Sequence, residues 1–169
     1  MKKLRIVLAA QLLIFIAWGG WLLSSKSTKS AEFYLETQPV DPRDLLSGTF
    51  VALNYEIANP QARACREALK KGDAFYVQLE ARGRTAATAL GEVPVYEAVD
   101  CNGDDPEGGL WAKASPYWGT GRATALYGIE RFYLNEDNPL KDARSGSVIA
   151  RVKLNRSRKL VLLDLVKKI

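Results

Sequence analysis

The 169-residue chain contains no histidine, only two cysteines and a single methionine. Without an imidazole there is no Ser-His or Cys-His nucleophile pair, no histidine acid–base chemistry at neutral pH and no histidine-ligated metal. Two cysteines alone are a poor basis for a zinc site. A phosphate-cradling glycine loop, a dinucleotide fingerprint and a haem-attachment motif are also missing, so neither cofactor nor metal is expected. Acidic residues are absent from the first thirty positions, which hold five of the 24 basic ones. From Ala31 onward there remain 19 basic and 19 acidic residues, so the net charge of +5 belongs to the N-terminus. No basic patch interleaved with aromatics follows, which sets nucleic acid aside.

What the N-terminus does have is an apolar run, Ile6 to Leu23, broken only by Gln11 and the Gly19-Gly20 pair. As a helix it would span about 27 Å, near the thickness of a bilayer's hydrocarbon core. Lys2, Lys3 and Arg5 precede it, which by the positive-inside rule puts the N-terminus in the cytoplasm and the rest outside. Trp18 and Trp21 suit the far interface. The rival reading is a cleaved signal peptide, for which Ser24, Ser25 and Ser27 are small enough but no A-x-A site is present. The run is long for a signal core, and no cysteine follows it for a lipid anchor. The expectation is an uncleaved single-pass anchor and tether over residues 1–30, and an exported domain over 31–169. In that compartment the pair Cys65 and Cys101 reads most simply as a disulfide, with two free thiols as the alternative.

Beyond the tether the dominant period is two. Strands are expected at Glu32–Thr37, Thr49–Ile57, Asp73–Arg82, Glu92–Val99, Leu110–Trp118, Ser147–Leu154 and Lys159–Val166. A long extended segment, Arg122–Asn135, has a candidate bulge at Gly128. Gln61–Lys71 reads as a helix, with Asn59-Pro60 ahead of it and Gly72 ending it. Gly83–Leu90 reads as a connection and Asp100–Gly109 as a turn-rich loop. That loop opens like a calcium loop, but Asp105 takes the required glycine's place and Trp111 that of the final acid. The expected fold is mainly β: an antiparallel barrel or sandwich with one covering helix, preceded by the transmembrane helix.

The stretch Asp41–Ile57 (DPRDLLSGTFVALNYEI) runs from a turn through Gly48 into the clearest strand. Thr49, Val51, Leu53, Tyr55 and Ile57 share its core face. It resembles the GDYXXLXY family, membrane-anchored bacterial proteins named for a motif that falls here. Gly48, Leu53 and Tyr55 match the fixed letters; Thr49 and Phe50 replace the Asp and Tyr of the name. A second stretch, Tyr127–Glu136 (YGIERFYLNE), is also similar to the family. The resemblance implies an exported domain, and an integral membrane protein with several helices as its partner; it implies no reaction. The entry around Pro42 also faintly resembles type I signal peptidases. Their nucleophilic serine lies shortly before the proline, where this chain has Pro39 and Val40.

Candidate binding positions are Gly48, Leu53, Tyr55, Tyr127, Glu130 and Arg131. Glu130 is expected beside Phe132 and Leu134 on one strand face, where a carboxylate must be paired, shifted in pKa or at a cavity. An ion pair with an arginine such as Arg43 is the plainer alternative. Tyr55, Trp111, Tyr117 and Trp118 are candidate surface aromatics for a partner. The functional expectation is a bilayer-anchored accessory domain, anchored through residues 6–23, that binds an integral membrane protein outside the bacterial cytoplasmic membrane. A small-ligand or envelope-polymer site near Tyr127, Glu130 and Arg131 is the alternative, with a hydrolase third.

Overall fold

The computed structural model describes residues 11–20, 31–39, 50–119, 122–133 and 145–169, with Phe50 and Val51 described for their backbone only. The chain divides into two compact units, Met1–Ser30 and Ala31–Ile169. In the first, residues 11–20 are helical (α1). Among the described residues no helix is long and apolar enough to cross a membrane; the remainder of the 6–23 run lies outside them.

The second unit is mainly β, built on one curled, half-barrel sheet. Its strands are β1 (Glu32–Gln38), β3 (Asn54–Tyr55), β4 (Phe75–Thr88), β5 (Gly91–Asn102), β6 (Trp111–Trp118), β7 (Ala123–Leu126), β9 (Val148–Leu154) and β10 (Leu160–Lys167). The spatial order is β10-β9-β1-β5-β4-β6-β7, with β3 added to β1; β2 (Phe50–Ala52) and β8 (Arg131–Tyr133) pair separately. Antiparallel pairing prevails, as the alternation predicts, except that β1 and β5 run parallel. The curl brings β10 and the turn before it back to β4 and β6. Thr88 of β4 bridges Lys168 just past β10, and Lys113 N of β6 donates to Arg158 O in the β9–β10 turn (2.7 Å).

One hydrophobic cluster fills the unit. Phe33 and Leu35 of β1, Phe75, Val77 and Leu79 of β4, and Val148, Ala150 and Val152 of β9 enter it at every second residue. The helix α2 (Arg63–Lys71) covers β5, β6 and β7 through Cys65 and Leu69, and ends at Gly72 in the left-handed region. Its N-cap is Ala62 with no side-chain cap; the Asn59-Pro60 signal instead follows a 3-10 turn, Glu56–Ala58.

Three expectations need correction. Gly83–Leu90 is not a connection. β4 runs on to Thr88 and forms a long hairpin with β5, whose turn is tied by Thr88 Oγ1 donating to Gly91 O (2.7 Å). Its alternation is weak because residues 80–87 are largely exposed on both faces. Thr49–Ile57 is not one strand but β2, β3 and the 3-10 turn, although Leu53, Tyr55 and Ile57 point inward as the pattern requires. Arg122–Asn135 is not continuous either. It breaks after Leu126 at Gly128, whose φ of 81° places the backbone where side chains are disfavoured, and resumes as β8. The β9–β10 turn is longer than two residues, as its lack of glycine predicts. Arg158 takes the left-handed position, and the Asn155 side chain accepts from Ser157 N and Lys159 N.

Candidate functional site

The two stretches singled out in the sequence meet in the fold. Val51 and Phe132 are opposite each other in the β2–β8 pair, and Leu53 N donates to Glu130 O (2.8 Å). Two tyrosines then cross between the segments. Tyr55 Oη donates to Ile129 O (2.8 Å), and Tyr127 Oη donates to Ile57 O (2.8 Å). Each ring is buried, and each hydroxyl satisfies a carbonyl on the other's segment, the pairing that burial of a phenol demands.

Glu130 completes this clasp. The bend at Gly128 turns its carboxylate back on its own chain, where Oε1 accepts Tyr127 N (2.5 Å). The continuous face with Phe132 therefore does not exist. Leu134 and Arg43 lie outside the described residues, as do Gly48 and Thr49. Arg131, in the register of Ala52, is exposed.

The chemistry of the clasp is that of a lock. Burial, and secondarily the Glu130 charge, push both the Tyr55 and Tyr127 hydroxyls well above the ordinary tyrosine range. That shift moves them away from acid–base work near neutral pH. It also links stability to alkaline pH. The unfolded chain ionises these groups near pH 10, whereas the folded chain keeps them protonated. Their stabilisation is thus complete below pH 10 and is lost as pH rises toward the folded values. The expected slope is up to about 2.7 kcal/mol per pH unit for two retained protons, checked by urea unfolding on either side of pH 10.

Around the clasp lie groups that periodicity did not single out. Thr37 is a polar residue at an inward position of β1; its hydroxyl donates to Val148 O and accepts Gly146 N (2.8 Å). Ser145 Oγ donates to Gln38 O and accepts Asn54 N (3.0 Å). Gly146 has φ 96° and lies against Pro39, where a Cβ would come within 2.9 Å of the ring. On the outer face, Arg84 of β4 joins Glu56 and Glu97 at 2.9 and 2.8 Å.

The other sequence candidates are placed elsewhere. Tyr55 is not a surface aromatic, since it is fully buried; Trp111 is half-buried, and Tyr117 and Trp118 are exposed. Cys65 and Cys101 form a disulfide that pins α2 to β5 (Cα–Cα 4.8 Å). Beside it lies an open cavity of about 410 Å³, lined by Glu67, Lys71, Asp73, Asn102 and Asp104 among others, and by none of the clasp residues. In the Asp-rich loop, Asp105 pairs with Arg158 Nε (2.7 Å) and Asn102 Oδ1 accepts Asp104 N, and no described group of three or more acids or cysteines is arranged to hold a metal ion.

Comparison with curated proteins and with solved structures returned no match for this chain. A family model, described as GDYXXLXY protein, matches residues 12–165, nearly the whole chain and both halves of the clasp. The chain belongs to the GDYXXLXY family.

Proposed function

We propose that the protein is a membrane-anchored accessory domain. Residues 6–23 hold it in the bacterial cytoplasmic membrane with the N-terminus inside, and Ala31–Ile169 works outside by binding an integral membrane protein. The observation that carries this reading is one combination. An apolar run with basic residues before it leads, after a short tether, into a compact unit closed by a buried disulfide. Persistent disulfides belong to oxidising compartments, and a positively flanked apolar run inserts with its basic end inside. The tether of about seven residues keeps the domain close to the bilayer, where integral proteins are its nearest neighbours.

Binding rather than catalysis is favoured by the clasp itself. The described candidates for chemistry, Tyr55, Tyr127 and Glu130, are each committed to a backbone partner. The small-ligand alternative is less favoured, because Tyr127 is buried.

The test is a crosslinking pull-down of the full-length chain from its native membranes, beside a form lacking residues 1–30. Recovery of one integral membrane protein with the full-length chain is the expected result. Recovery of no specific protein from membranes in which the chain is present and folded overturns the partner reading.

A further inference from the structure

The β6–β7 hairpin differs from the rest of its unit. β4 pairs with β6 only over Trp111–Ala114, so the outer half projects as a two-stranded ribbon, Ser115–Trp118 against Ala123–Leu126. The ribbon's root is inside, since Ala114 and Ala125 are buried. Its end is not: Tyr117 is 54% exposed and Trp118 61%. The register puts Tyr117 on one face and Trp118 on the other, so apolar groups surround the tip rather than line a groove.

The charge is equally distinctive. Leu110 to Ile129 contains Lys113 and Arg122 and no acidic residue, whereas Ala31 to Leu140 as a whole carries 17 acids and 10 bases. Every one of those acids therefore lies outside the hairpin. Arg122, at the tip, is exposed. The helix packed beside β6 and β7 exposes Arg66, Lys70 and Lys71, while its one acid, Glu67, pairs with Arg63 (3.0 Å). Asp73 and Asp104, which border the cavity with Lys71, are the acids facing this helix's end.

We propose that this hairpin tip docks into the interfacial layer of an anionic bilayer. Trp118 and Tyr117 enter the boundary between headgroups and acyl chains, and Arg122 meets lipid phosphate. Tryptophan and tyrosine have an apolar body and a polar tip, which suits that boundary. Arginine binds phosphate through a planar fork of donors. A protein partner is the poorer fit. A stable protein interface needs about 800 Å² per side with a packed centre, whereas two rings around a narrow ribbon offer neither. A bilayer needs no matching shape. The inference rests on the proposed location of the domain outside the membrane, near its surface.

The test uses residues 31–169, which contain the whole described core and the disulfide and form their own compact unit. Flotation with phosphatidylglycerol-rich vesicles is compared with flotation on neutral phosphatidylcholine vesicles. The wild-type segment is expected to float with the anionic vesicles. Tyr117→Ser with Trp118→Ser is expected to weaken partitioning by about tenfold or more, and Arg122→Gln by about fivefold, the factor for about 1 kcal/mol per basic residue at an anionic surface. An unchanged urea-unfolding midpoint shows that the variants remain folded.

Failure of the folded wild type to float, or equal flotation of wild type and the double variant, overturns the proposal. If neither form floats but the double change in the full-length chain abolishes recovery of the membrane protein, the tip is a protein contact and the lipid proposal is wrong. Extraction of full-length chain by alkaline carbonate tests the anchor separately: release from the membrane would defeat the anchored reading whatever the tip does.

Discussion

Tyr55→Ala is expected to lower the unfolding free energy by about 3–5 kcal/mol, the range for removing a buried aromatic side chain. The ring is 0% exposed and belongs to the central cluster. The change opens a cavity and also strips Ile129 O of its donor. Tyr55→Phe separates the two effects, because it keeps the ring and removes the hydroxyl. An unpaired buried carbonyl costs about 1–3 kcal/mol, so the conservative variant should lose roughly that amount and Tyr55→Ala clearly more. Urea unfolding of residues 31–169 reads both. A Tyr55→Ala protein with the wild-type midpoint would show that the ring is not in the core. It follows that Tyr55→Ala is a poor probe of partner binding, since lost recovery in a pull-down would report a damaged fold; Trp118 does not carry that ambiguity.

The second large effect is expected at the disulfide. Cys65 and Cys101 are 36 residues apart, and closing a loop of that length restricts the unfolded chain by about 4 kcal/mol on the chain-entropy relation. That is a large part of the 5–15 kcal/mol typical of a domain. The consequence should be uneven across the fold. α2 buries only Cys65 and Leu69, so the helix has little else to hold it once the bridge is gone. The paired change Cys65→Ala and Cys101→Ala should move the urea midpoint down sharply. It should also raise amide exchange in α2 before exchange in β4 or β9. Equal midpoints with and without the bridge would contradict this, and so would a helix that stays as protected as the sheet.

How far the sequence could be read depended on what each segment packs against. β1 and the start of β4 have one wet and one dry face, and there the alternation of Phe33 and Leu35 or Phe75, Val77 and Leu79 marks the core correctly. The β4–β5 hairpin end has two wet faces, so Gly83–Leu90 carried no period to read. The stretch around Glu130 misled for a different reason. Alternation there continues across a bend that only Gly128 permits, and a carboxylate that looked stranded in an apolar face turns back onto Tyr127 N. Leu53 and Tyr55 lie where two distant segments meet, a contact no local pattern displays. Likewise, two cysteines in sequence could not show that they are 4.8 Å apart at Cα.

The clasp is tested most directly by following tyrosine absorbance as the native protein is brought through alkaline pH. The chain has seven tyrosines. Burial of Tyr55 and Tyr127 beside Glu130 predicts that two of them keep their protons until the fold opens, and then ionise together with the loss of structure. Tyr55→Phe with Tyr127→Phe should remove that late fraction. Ionisation of all seven tyrosines while the protein remains folded would contradict the clasp.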